Sequence, residues 1–321
     1  MSNVFEDDPE IVEIRQRLRA QDSEVRRIAL LELSDLAGDE HVPLIIEALG
    51  DPVAAVRAEA ARALEAFETD EGIAGLIALL HDADAEVRQA AADSLHDLKR
   101  PASAVLLLPH VPDAGTFAKV ALLRALRELR ALDSLQPALE ALSDADAGVR
   151  REAVGVLGYL RQPQILPALT QLAAADPDAE VRRAAIGALG FASDDGVLPS
   201  LLLGLKDEAW QVREEAATML GKLRLAAAHD ALIAALHDAY WQVRLRAARA
   251  LGRLRAVESV QALAAALAHP ISNLRKEAAL ALGEIGSPAA LPALHAAQGD
   301  GDPEVRKSVR LAISQIGSAH A

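Results

Sequence analysis

The stretch Asp207–Leu223, DEAWQVREEAATMLGKL, decides the fold, because its pattern returns along the whole chain. Its Val212-Arg213 pair recurs at Val25-Arg26, Val56-Arg57, Val87-Arg88, Val149-Arg150, Val181-Arg182, Val243-Arg244 and Val305-Arg306. Leu274-Arg275 and Ala118-Lys119 fill the two remaining slots. The spacing is 31 residues throughout, except for 32 between Val149 and Val181. A fixed period in this range marks an array of small stacked units rather than a conventional globular domain.

Each unit reads L-x-D-x-x-x-x-V-R-x-x-A-A-x-A-L-G. The Val, the alanines four and five later and the Leu eight later fall on one face of a helix, as Val243, Ala247, Ala248 and Leu251 do. A glycine often follows (Gly158, Gly190, Gly221, Gly252, Gly283), where the helix is expected to end. A second apolar segment comes next, with Pro43, Pro137, Pro167, Pro199 or Pro292 near its start, where a missing N–H costs least. The unit is therefore helix, turn, helix, and neither helix can bury its apolar face without a neighbouring unit. The expected architecture is an all-α solenoid over 1–321. Its ten repeats lie near 9–36, 40–67, 71–98, 102–130, 133–161, 164–192, 196–224, 227–255, 258–286 and 289–317.

The same periodicity accounts for much of the charge. An Asp precedes the Val slot by five residues at Asp51, Asp82, Asp113, Asp144, Asp176, Asp207, Asp238 and Asp300. Such an Asp suits a turn, where its carboxylate accepts free backbone N–H groups. The recurring Arg can bond an Asp of the next unit, giving a structural ladder rather than a cationic track. In the fourth unit, Pro101 to Pro112 ends the first helix early, which makes it a candidate hinge or a degenerate repeat.

At this level of detail the unit resembles the short bacterial HEAT repeat, the phycobilisome lyase HEAT-like repeat, over residues 9–317. The resemblance implies a superhelix whose Val-Arg helices line the concave face. Relatives of this kind include bilin-attaching lyase subunits, phycobilisome degradation factors and bacterial scaffold or maturation proteins.

Composition removes several functions. There is no cysteine, hence no disulfide framework, thiolate metal site or cysteine nucleophile, which fits a reducing, cytoplasmic setting. The first residues, MSNVFEDDPE, lack the basic and apolar regions of a signal peptide, and no apolar run is long enough for a membrane span. Phosphate-binding, nucleophile-elbow and zinc-protease motifs are all missing. His81-Asp82, His96-Asp97, His229-Asp230 and His237-Asp238 look like ligand pairs, but His81 and His237 sit in a recurring turn slot. No His-Glu pair of the kind used by HEAT-repeat di-iron hydroxylases occurs, so neither a metal nor another cofactor is expected. A net charge of −14 opposes nucleic acid, and Glu214, Glu215 and Glu277 interrupt the one basic strip.

Function is then sought where the repeat stops repeating. Inner-face positions that do not pack are bland in early units (Ala54, Ala55, Ala85) and distinctive later. The candidate partner-binding set is Arg151, Tyr159, Arg183, Phe191, Trp210, Gln211, Glu214, Tyr240, Trp241, Arg246, Arg249 and Lys276. Six of the eight aromatics lie between Phe117 and Trp241. Trp210 and Trp241 hold one slot in adjacent units and are expected side by side, about 10 Å apart. Trp, Tyr and Arg are the residues that dominate interface energetics. The expectation is a non-enzymatic scaffold gripping a partner protein, as an assembly, maturation or regulatory factor. The alternative is a lyase-type subunit assisting tetrapyrrole attachment, with the same face holding a planar pigment.

Overall fold

The buried positions follow the repeat slot by slot. Val181, Ala185 and Leu189, and Val243, Ala247, Ala248 and Leu251, are all fully buried, as the shared helical face requires. The computed structural model describes residues 9–319 apart from residues 37, 39, 40 and 194, and the acidic start of the chain lies outside them. The described residues form helices joined by short turns, an α-solenoid.

The helices come in pairs, a shorter first helix and a longer second one that carries the Val-Arg slot. The first four pairs are α1 (Pro9–Arg17) and α2 (Ser23–Asp35), α3 (Val42–Ala48) and α4 (Ala54–Ala63), α5 (Asp70–Leu79) and α6 (Ala85–His96), and α7 (Ala104–Leu107) and α8 (Thr116–Leu129). Then come α9 (Leu135–Ala141) and α10 (Ala147–Leu160), α11 (Leu166–Ala175) and α12 (Ala179–Ala188), and α13 (Leu198–Gly204) and α14 (Trp210–Leu223). The last pairs are α15 (His229–Ala235) and α16 (Trp241–Leu254), α17 (Val260–Ala266) and α18 (Ser272–Ile285), and α19 (Leu291–Ala296) and α20 (Pro303–Ala319). Two compact units result, Met1–Leu160 and Arg161–Ala321. In the first, α2, α4, α6, α8 and α10 stack in order, and in the second α12, α14, α16, α18 and α20 do the same. Pro43, Pro167, Pro199 and Pro292 fall in the first turn of their helices, as expected. The fourth repeat has a first helix of one turn only, α7, flanked by 3-10 turns at Pro101–Ser103 and Leu108–His110.

The Asp–Arg ladder is present in both units, and its step is 25 residues. Arg26 holds Asp51 and Arg57 holds Asp82, each through two hydrogen bonds of 2.7–2.9 Å. Arg182 holds Asp207, Arg213 holds Asp238 and Arg275 holds Asp300 with the same geometry. Each of these Asp residues also accepts the backbone N–H two residues on, as Asp207 does from Ala209 at 2.8 Å. The Arg reaches back as well, with Nη1 of Arg213 donating to the carbonyl of Asp207 at 2.8 Å. One guanidinium thus ties its own turn to the next one. Where Lys119 replaces Arg, it still reaches Asp144 at 3.0 Å.

Two rungs differ. Arg88 does not pair with Asp113, and its guanidinium lies instead 5.8 Å from the ring centre of Phe117. Arg244 meets His269 in the slot where an Asp belongs. Nδ1 of His269 accepts the N–H of Ile271 at 3.1 Å, copying half of the Asp's task, but it offers Arg244 no charge. Nε of Arg244 turns to the carbonyl of Asp238.

The recurring glycine ends the helix at Gly190, in the 3-10 turn just past α12, but Gly158, Gly221, Gly252 and Gly283 lie inside their helices. Gly221 lies inside α14, where a Cβ would come within 2.7 Å of Cα of Ala250 on α16. Gly252 is in the same position against Ala281 of α18, at 2.9 Å. These glycines let the second helices of successive repeats approach closely. The helix stop comes three residues later, in a left-handed residue. That residue is Gly286 after α18 but arginine elsewhere: Arg130, Arg161, Arg224 and Arg255, with φ between 51° and 54°. A left-handed residue with a Cβ costs roughly 1–2 kcal/mol relative to glycine.

Candidate functional site

In five of the ten repeats the start of the second helix is closed by an Asp three residues before the Val slot. Asp22, Asp84 and Asp178 cap α2, α6 and α12 by accepting backbone N–H bonds two or three residues on, and Asp146 and Asp302 do the same. In the second unit the cap slot of α14 is Ala209 and that of α16 is Tyr240, neither of which makes a capping bond. Giving up such a cap costs about 1 kcal/mol. What replaces it is aromatic surface.

The Tyr240 ring stacks on Trp210 with centroids 5.4 Å apart and planes 16° from parallel. Arg213 lies under the same tyrosine, 5.7 Å from its centroid, while its fork holds Asp238. Tyr240 remains 45% exposed, and Trp210 and Trp241 are half-buried. The ring that stacks on Trp210 is that of the residue before Trp241, in the cap slot of α16. Gln242 follows, with Oε1 buried and without a hydrogen-bond partner. Gln211, in the equivalent slot, is half-buried.

The arginines of this face are largely committed within the chain. Nε of Arg246 on α16 donates to Glu214 on α14 at 2.9 Å. Arg249 donates to both oxygens of Glu277 on α18, at 2.8 and 2.7 Å. Arg183 is paired with Glu180 on its own helix at 2.8 Å, and Lys276 lies 3.9 Å from Glu304. Glu215 has its carboxyl pushed up by burial, with Arg183 opposing that shift and Glu214 adding to it. Phe191 is half-buried in the 3-10 turn Leu189–Phe191.

The first unit carries its own aromatic and arginine group. Tyr159 on α10 is 44% exposed and lies 5.0 Å from Arg130 and 5.9 Å from Arg127. Arg127 also reaches Glu152 at 3.1 Å, and Arg151 is 3.9 Å from that same carboxylate. Each unit therefore brings part of the predicted set together. Sequence reasoning missed the arginines at the left-handed helix stops. A signal was available, since they recur twelve residues after the Val slot.

Among the described residues, no three His, Asp or Glu side chains converge as a metal site. Asp82 and Asp238, partners in the suggested His-Asp pairs, are held by Arg57 and Arg213. No described helix is long and apolar enough to cross a membrane.

Stacked helix pairs tied by a structural Asp–Arg ladder define an α-solenoid. A family model described as HEAT repeats matches residues 11–96, 54–127, 104–190, 135–221, 166–242, 198–275 and 229–314, and the chain belongs to that family. No match was found among curated proteins. Among solved structures, the chain is similar to an engineered protein at 20% identity, with a TM-score of 0.52, 97% of this chain and 99% of that one covered. It is also similar to YibA of Escherichia coli, at 21% identity and a TM-score of 0.54, with 90% and 95% covered. Kap95p, solved bound to RanGDP, matches at 18% identity and a TM-score of 0.69, with 96% of this chain and 51% of Kap95p covered. At these identities the likeness concerns the fold.

Proposed function

We propose that this protein is a non-enzymatic scaffold that grips a partner protein, serving as an assembly, maturation or regulatory factor in the cytoplasm. HEAT repeats and a solenoid neighbour that binds a protein support the general reading. The observation that carries the particular one is the stacked, half-exposed Trp210–Tyr240 pair, set where an Asp cap would otherwise stabilise α16. An exposed aromatic cluster that replaces a stabilising feature is best explained by the contact it makes with something else. Half-buried Trp241 and Gln242 follow directly in sequence at the start of α16.

The alternative, a lyase-type subunit handling a tetrapyrrole on the same face, has no comparably specific observation in its favour.

The test uses the full chain immobilised in its host lysate, beside a Trp210→Ala/Tyr240→Ala variant. Specific capture of one partner by the parent chain and its loss in the variant, with unchanged helical circular dichroism, is the expected result. Equal capture by both would overturn the assignment of this surface. Loss of helical signal would show that the pair seals the fold instead.

A further inference from the structure

The net charge of −14 is unevenly placed. Residues 1–160 hold 16 Lys and Arg against 30 Asp and Glu, a net of −14, and residues 161–321 hold 17 of each, a net of zero. Within the second unit, residues 222–255 carry seven Lys and Arg against two Asp, a net of +5. One of those two, Asp238, is taken by Arg213. Lys222, Arg224, Arg244, Arg253 and Arg255 make no ion pair among the described residues.

Geometry gathers part of this charge. Arg246, Arg249 and Arg253, at successive turns of α16, line a small trough with Ala217, Thr218 and Gly221 of α14 and Ala250 of α16. Small side chains keep its floor low, and the arginines form its wall. Arg246 uses only Nε on Glu214, and Arg249 leaves Nη1 unengaged. At the end of the trough stand Arg224 and Arg255, in left-handed conformation with φ of 54° and 51°.

These two arginines are the independent observation. The equivalent residue after α18 is Gly286, which adopts the same conformation without a Cβ penalty. The helix dipole favours a cation here, but Lys222 and Arg253 already supply one in the last turns of α14 and α16. Arg130 in the equivalent slot packs on Tyr159, whereas Arg224 and Arg255 are exposed with no side-chain contact of that kind. The left-handed arginine also occurs at Arg161, so the conformation belongs to the repeat; what sets Arg224 and Arg255 apart is that both close the helices that form the trough.

We propose that the trough between α14 and α16 binds an extended acidic peptide segment, its carboxylates meeting Arg246, Arg249 and Arg253 and, at the end, Arg224 and Arg255. This rests on the protein-binding reading above and names the chemistry of the partner. The aromatic cluster begins α16 and the free cations end it, so the two are about 20 Å apart along a 14-residue helix. An extended chain covers that distance in about six residues. The recognised segment thus carries an apolar anchor and, about six residues away, a run of Asp or Glu. Single-stranded nucleic acid fits less well, since it needs stacking platforms interleaved with the cations rather than separated from them.

The experiment measures fluorescence anisotropy of a labelled twelve-residue oligoglutamate, and of a labelled twelve-nucleotide oligothymidylate, on the full chain. Oligoglutamate is expected to bind, and more weakly as salt rises. Arg224→Gly/Arg255→Gly is expected to raise the denaturation midpoint and yet weaken oligoglutamate about tenfold. Arg253→Glu, which breaks no ion pair, is expected to weaken it with helical content unchanged. A stabilised glycine variant with undiminished affinity would overturn the proposal, and so would oligothymidylate binding that is tighter than oligoglutamate and lost in the same variants. No oligoglutamate binding in a chain whose partner capture still depends on Trp210 and Tyr240 would sink the acidic segment and leave the scaffold reading standing.

Discussion

Replacing His269 by Asp should complete the ladder rung that the second unit lacks. In every other rung of that unit described above, the slot Asp accepts two bonds from an Arg 25 residues earlier and one from the backbone N–H two residues later. His269 performs only the last, and Arg244 is left with the Asp238 carbonyl. An Asp would keep the Ile271 N–H and add a two-pronged pair to Arg244. Bonds to charged groups contribute about 1.5–3 kcal/mol, and ordering an arginine side chain costs up to about 2 kcal/mol. Part of that ordering is already met by the Arg244–Asp238 contact, so the net gain is about 1 kcal/mol. Burial first, then Arg244 and Arg275, hold the His269 imidazole below its ordinary pKa. The neutral ring's contribution is present above the ordinary value near 6.5 and lost as pH falls through the depressed one. The advantage of His269→Asp therefore widens on mild acidification and closes only when the new carboxylate protonates. Urea denaturation followed by circular dichroism reads the global gain. Hydrogen exchange in α16 and α18 reads it locally, as a slowing of about fivefold for 1 kcal/mol. Arg244→Ala should erase the gain. A gain of equal size in the Arg244→Ala background, or none at all, refutes the reasoning.

Gly221→Ala should destabilise by about 1–3 kcal/mol in a thermal melt, because its Cβ would sit 2.7 Å from the Ala250 backbone of α16 and push two helices apart. Acid should dismantle the ladder. Arg57 and Arg275 hold Asp82 and Asp300 below the ordinary carboxylate value of 3.8, while at Asp207 burial pushes upward and the bonds from Arg182 and Ala209 outweigh it. A depressed carboxylate stabilises the fold above its ordinary value and loses that contribution as pH falls through the depressed one. Melting temperature should hold from pH 7 to about 5 and fall steeply below about 4, and a flat profile to pH 3 would contradict the ladder's part in stability.

The sequence made the repeat, its buried face and the pairing of Asp with Arg readable, because all three follow from position within one period. What it did not reveal depends on how successive repeats are offset. The ladder step of 25 residues, the 28-residue reach from Arg249 to Glu277 and the 32-residue reach from Glu214 to Arg246 are set by lateral helix spacing. A residue pattern carries no record of that spacing. The same is true of Gly221, read as a helix end and found as a close-approach point, and of the stacking of Tyr240 on Trp210.

Departures from the repeat fall into two kinds, and the difference between them is informative. Some are compensated inside the chain: Lys119 still reaches Asp144, and Arg88 settles on Phe117. Others leave a cost standing. Tyr240 forgoes a helix cap, and Arg224 and Arg255 hold a strained backbone with their charges unpaired. All three of these lie on the helix pair α14 and α16 or at its ends. An internal repeat supplies its own reference for each slot: α18 also starts uncapped at Ile271, and Arg161 is also left-handed. Among the described residues, however, α14 and α16 alone combine uncapped starts, a stacked aromatic pair across them and unpaired left-handed arginines at their ends, and that combination singles out the pair as the surface where an external contact offsets the cost.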